Sequence, residues 1–225
     1  MDTAALTHVL RGRWRIRTSR RPHHVELGDF GRRLPSLGRD EISVYDELVR
    51  RFLRPRLAAF AAPGLVFGPD DEPEWTDVLP AAADVTVIRA TEPSELELAV
   101  AATVDWVVLD RALQWVPEMT DALEAVVGRL RPNAVLVTFF TGIARAERGE
   151  HAPLRSVQPY AAGRLHEERR DLERVAVEQY GNVTLALAWI YRLPADDLTE
   201  RELATVDPAY PVLVAVTASK RGARG

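Results

Sequence analysis

The sequence predicts an α/β protein built on a mostly parallel sheet, with antiparallel strands added at its C-terminal edge. Two patterns predict it. Between Leu65 and Leu172, short apolar runs alternate with helical stretches, as strand–helix–strand units require. Beyond Leu172, apolar runs follow one another closely, as expected for closing edge strands, and such mixed sheets are common among doubly wound folds.

The elements follow in chain order. Residues 40–62 read as a helix, capped by Ser43 with Asp46 as its box partner, and Leu48, Val49, Phe52 and Leu53 form its apolar face. Pro55 is expected to bend or split that helix, and Ala61-Ala-Pro-Gly64 ends it. Leu65–Phe67, Val85–Ile88 and Val104–Leu109 read as strands. Thr120–Leu130 reads as an amphipathic helix, Pro132-Asn133 as a turn and Ala134–Phe140 as the next strand. The stretch from Gly142 to Pro159 has no clear period, and Ala161–Leu172 reads as a helix. Val175–Val177, Val183–Ile190 and Val212–Thr217 read as the closing strands. No internal repeat interrupts this order.

Composition narrows the function classes. A chain of 225 residues fits one α/β domain with a short extension and buries a core without staples. The absence of cysteine excludes a disulfide framework, thiol catalysis and thiolate metal sites. With 29 Lys+Arg against 33 Asp+Glu, the net charge of −4 excludes a globally basic nucleic-acid binder. No apolar run approaches the roughly 18 residues of a membrane span, and arginines interrupt every candidate signal core near the N-terminus. The expectation is a soluble, cytoplasmic protein. Lys220 is the single lysine, so Schiff-base chemistry would have to use it. The basic segment Arg11–His24 reads as a solvated extension, and the domain boundaries are 1–38 for the extension and 39–225 for the folded part. A nucleic-acid or anionic-surface role for that arm would show as an affinity falling steeply with salt.

Two stretches carry a resemblance. Val104-Asp-Trp-Val-Val-Leu-Asp-Arg-Ala-Leu-Gln-Trp-Val116 resembles the fourth strand of class I S-adenosylmethionine-dependent methyltransferases and the turn after it. Ala122–Val137 resembles their following helix, "L-(K/R)-P-G-G" turn and fifth strand, with Asn133 and Ala134 in place of the two glycines. Asn tolerates a left-handed turn, so the fold survives that change. A narrower resemblance is to a bacterial group of methyltransferase-domain proteins associated with glycan and natural-product biosynthesis. It is carried by Gly38-Arg-Asp40, Tyr45–Leu53, Leu165-His-Glu-Glu168, Tyr180-Gly-Asn-Val183 and Asp207-Pro-Ala-Tyr-Pro-Val-Leu213. The resemblance implies a Rossmann-like fold of seven-strand plan, S-adenosylmethionine as the cofactor if any is used, and a small-molecule or glycan substrate. A protein partner or homo-oligomer is also open.

The cofactor motifs are degenerate. The turn after the first strand is Val66-Phe-Gly-Pro-Asp-Asp-Glu-Pro73, where Gly68 alone permits close backbone approach and two prolines remove N–H donors. Asp70 and Asp71 keep the acidic character of the narrower group and are candidates to meet the ligand's amino group. The second strand should end in a carboxylate for the ribose hydroxyls, yet Arg89 stands there and only donates, while Glu92 comes three residues later. The third strand is compressed into Glu95–Val100. The loop Ala146–Ser156 lacks the aromatic residues of the narrower group.

For catalysis, His151 lies over the expected acceptor position and Asp110 follows the fourth strand; these are the candidate bases, with Glu147 and Glu150 behind them. His166 reads as structural or exposed. His23-His24 lacks a third ligand, so no metal site is expected. Trp106, Trp115 and Trp189 read as core or interface residues, with Trp115 the one able to line a cavity. The functional expectation is a diverged methyltransferase-like protein with impaired or absent S-adenosylmethionine binding, working as a partner subunit or in a non-methylating reaction. The alternative is an active O-methyltransferase acting on a sugar or small-molecule hydroxyl.

Overall fold

The computed structural model describes residues 42–60, 62–68, 74–80, 85–89, 104–143 and 154–222. The first helix, α1 (Val44–Leu53), starts where the sequence places it. Ser43 accepts from the Asp46 N–H at 3.1 Å, and its hydroxyl donates to the Asp46 carboxylate. Pro55 cannot continue the α-helical ladder, and the chain tightens into a 3-10 segment over Arg54–Phe60.

Among the described residues six strands form one sheet: β1 (Gly64–Gly68), β2 (Val85–Arg89), β3 (Trp106–Asp110), β4 (Val135–Thr141), β5 (Leu172–Tyr180) and β6 (Leu213–Lys220). Their spatial order is β2-β1-β3-β4-β6-β5. The first four run parallel, and β6 pairs antiparallel with both β4 and β5. This is the Rossmann-like architecture with antiparallel edge strands that the apolar runs predict. The expected third strand, Glu95–Val100, lies outside the described residues, as do the arm over residues 1–38 and the loop residues Ala146–Pro153.

Side chains alternate across β1, β3, β4 and β6, so these strands feed two cores. Leu65, Phe67, Val107, Leu109, Leu136, Phe140, Val214 and Val216 pack against α2 (Ala112–Trp115), α3 (Met119–Arg129) and α4 (Pro159–Glu167). On the other face, Val66, Trp106, Val108, Val137, Phe139 and Leu213 pack against α1, α5 (Val183–Tyr191) and α6 (Glu200–Ala204). A strand covered on both faces is apolar at nearly every position, which is why β1 reads as an apolar run and β3 as one up to the buried Asp110.

Two sequence expectations are corrected. Val183–Ile190 is not a strand; it is the helix α5. Asn182 caps it by accepting from the Leu185 N–H at 3.0 Å, and Leu185, Ala186, Leu187 and Ala188 are strong helix formers. An apolar run of this length does not distinguish a buried strand from a helix by periodicity. Helix α4 ends at Glu167 rather than Leu172, because Leu172 is drawn into the sheet opposite Lys220. Lys220 is accordingly a strand residue, its ammonium paired with the Asp171 carboxylate at 2.9 Å. Asn133 does take the left-handed turn, at φ 67°, with its N–H on the Lys220 carbonyl.

Candidate functional site

The carboxyl ends of β1 and β3 are where this topology switches direction, and ligands of open α/β sheets bind at such crevices. Pairing places Arg89 beside Gly68, and Asp110 beside Phe139, in one row across the sheet. Gly68 and Asp110 are adjacent in that row. A Cβ on Gly68 would stand 3.3 Å from the Asp110 carbonyl oxygen and 3.5 Å from its Cβ. The two candidate residues that the structure describes are therefore brought together. Asp70, Asp71, Glu92 and His151 lie outside the described residues.

Asp110 is fully buried and on the α1 side of the sheet. Its Oδ1 accepts from the Tyr45 hydroxyl at 2.5 Å, and its Oδ2 accepts from the Trp75 indole N–H at 3.0 Å. The Arg111 guanidinium donates to both oxygens, at 3.3 Å each. Four donors thus converge on a group with about four acceptor sites. Tyr45 and Trp75 are themselves buried. Burial first, and then the neighbouring Asp110 carboxylate, push the Tyr45 phenol well above its ordinary value, so it stays a donor.

Each partner is placed by a local rule. Tyr45 sits in the first turn of α1, on the stripe with Leu48, Val49 and Phe52. Trp75 comes from the 3-10 turn Glu74–Val78 and packs edge-on against Phe139 at 5.9 Å. Arg111 adopts the left-handed conformation at φ 56°, which turns the chain sharply out of β3 into α2. Its N–H is held by the Phe139 carbonyl at 2.9 Å, and its guanidinium lies 4.7 Å over the Tyr45 ring.

Sequence reasoning named Asp110 and the helix of Tyr45 but missed Trp75 and Arg111. A tyrosine on an otherwise apolar helix stripe was a usable signal, since its hydroxyl needs a partner when buried. Gln114 was also missed. Fully buried after β3, it donates to the Thr141 and Arg155 carbonyls and accepts from the Thr141 N–H at 2.7 Å, tying the end of β4 to α2. His166 is buried and structural. Its Nδ1 donates to the Ala162 carbonyl at 2.8 Å, so its Nε2 accepts from the Thr138 hydroxyl at 2.9 Å. Trp106 is core, with its indole N–H on the Ala62 carbonyl, and Trp115 and Trp189 are half-buried. Among the described residues there is no metal-binding cluster and no helix long and apolar enough to cross a membrane.

No family model matches the chain, and no curated protein matches it in sequence. Solved structures do. The N-methyltransferase NodS of Bradyrhizobium japonicum WM9, in complex with S-adenosylhomocysteine, superposes with a TM-score of 0.50 at 17% identity, covering 86% of this chain and 97% of that one. Phosphoethanolamine N-methyltransferase 2 of Haemonchus contortus gives 0.44 at 14% identity; 77% of this chain matches 38% of that longer one. The plantazolicin methyltransferase BpumL gives 0.43 at 11% identity, over 79% and 89% of the two chains. The NodS superposition shows the fold alone: this chain shares the Rossmann-like mixed α/β architecture of that methyltransferase.

Proposed function

We propose that the chain is a diverged methyltransferase-fold protein of glycan or secondary-metabolite biosynthesis. It binds S-adenosylmethionine weakly or not at all, and it acts as a partner subunit or in a non-methylating reaction. The observation that carries this reading is the saturated Asp110 carboxylate beside Gly68. A general base needs an open lone pair within reach of the proton it removes, and both Asp110 oxygens already accept from protein donors. The cofactor's methionine part needs close backbone approach at the end of β1, yet there the buried Tyr45 and Trp75 side chains close over Asp110. The row also ends in Arg89 at the strand position where ribose hydroxyls require an acceptor. These residues do not fit the cofactor.

Calorimetry of the full chain with S-adenosylmethionine and with S-adenosylhomocysteine tests the reading. No heat of binding is expected up to millimolar ligand. Saturable binding at about 100 µM or tighter, roughly −5.5 kcal/mol, would overturn it. That result would favour the alternative, an active O-methyltransferase in which Gly68, Asp70, Asp71 and Glu92 hold the cofactor and His151 or Asp110 is the base. The observation that supports the alternative is the retained pairing of Gly68 with Asp110 at the switch point.

A further inference from the structure

A fully buried carboxylate at the end of β3 is a costly choice for the fold alone, since apolar residues of similar volume in place of buried ion pairs are often neutral or stabilising. Yet the chain gathers donors from three places to keep Asp110: Tyr45 from α1, Arg111 from the turn into α2, and Trp75 from the 3-10 turn Glu74–Val78. Arg111 does so in the left-handed region, at φ 56°, and backbone strain of that kind gathers at ligand sites. The cluster stands beside Gly68, at the switch point of the sheet.

Of the three donors, Trp75 meets Asp110 as a ligand would. Its indole N–H donates to Oδ2 at 3.0 Å, and its ring stands edge-on to Phe139, with centroids 5.9 Å apart and planes at 75°. Tyr45 takes Oδ1 and so turns Oδ2 toward the indole. A fixed acceptor beside an aromatic wall recognises a planar ring that carries an N–H: the acceptor reads the donor, and the wall takes the ring. The occupant comes from a short turn. Within residues 75–78, Trp75 is the buried side chain, with Thr76 and Val78 half-buried and Asp77 exposed. Asp77 ties the turn to Arg50 of α1 at 3.1 Å, an ion pair with one partner in solvent.

We propose that the carboxyl end of β3 is a binding site for a planar heteroaromatic ring bearing an N–H donor, and that Trp75 is its built-in occupant, which such a ligand displaces. The seated turn is the closed form of the site, because ligand binding and the seating of Trp75 exclude each other. The inference rests on the reading of Asp110 as a saturated acceptor. Calorimetry of the native chain with S-adenosylmethionine tests that reading, and a different ligand tests this one.

Indole, the Trp75 ring itself, is the probe. Trp75→Ala vacates the place of the ring, and apolar cavities made in this way take small aromatic molecules. Calorimetry should show saturable binding of indole to this variant, at least tenfold tighter than to the native chain, where Trp75 competes. Indene has the same shape and no N–H. It should bind the variant at least tenfold more weakly than indole, because it leaves the Asp110 oxygen without its donor. Trp75→Phe keeps a ring in the crevice and should bind neither. If Trp75→Ala does not fold by itself, indole added during refolding should restore its near-ultraviolet circular dichroism, since a ligand bound by the native state alone stabilises that state. In the native chain, indole near its solubility limit should speed amide exchange across residues 74–78. Equal binding of indole and indene, binding of indole by Trp75→Phe as by Trp75→Ala, a Trp75→Ala variant that neither binds indole nor refolds with it, or unchanged exchange in the native chain would overturn the proposal.

Discussion

Buried, neutral His166 makes the stability of this fold depend on pH, and lowering the pH from 8 to 5 is the perturbation that exposes it. Burial among Thr138, Ala162 and Phe140 pushes its imidazole down from the ordinary 6.5 to about 4, against a smaller opposing effect of the Ala162 carbonyl. The unfolded chain therefore binds a proton between these two values that the folded chain refuses. The stability contributed by the neutral ring is fully present above about pH 6.5 and is lost as pH falls toward 4. With folded and unfolded values of about 4 and 6.5, the loss from pH 8 to pH 5 is about 2 kcal/mol. Urea unfolding at a series of pH values measures it, with His166→Gln as the reference in which this proton is absent. The native curve should fall by about 2 kcal/mol more than the variant's over that interval. Parallel curves would refute the assignment of His166 as a neutral acceptor for Thr138.

Two further outcomes follow from packing and capping. Gly64 faces the Trp106 ring, where an added Cβ would stand 2.0 Å from a ring carbon; Gly64→Val should therefore cost at least about 3 kcal/mol by overpacking, read as a lowered urea midpoint. Asn182 both caps α5 and donates from its amide to the Glu202 and Thr205 carbonyls, at 2.8 Å each. Asn182→Ala should cost about 2 kcal/mol, at the upper end for a helix cap, and should loosen the α5–α6 excursion first in hydrogen exchange.

The sequence by itself determined the local signals. Ser43 and Pro55 fixed the limits of α1, because capping and a missing N–H act within one turn. The apolar runs at Leu65–Phe67, Val104–Leu109 and Ala134–Phe140 marked the parallel strands, because a strand covered on both faces is mostly apolar and admits a polar residue such as Thr138 only where it finds a partner. Gly68 and Asp110 were legible as strand-end residues, and the structure sets them side by side. Only the tertiary structure decided what Asp110 does. Its partners Tyr45, Trp75 and Arg111 come from a helix, a turn and a strained neighbour, and convergence of segments 65 and 35 positions apart leaves no trace in local spacing. The same holds for α5. Its uniform apolarity suits a buried strand as well as a helix, and the choice fell to the Asn182 cap and to the α1 surface on which one of its sides packs.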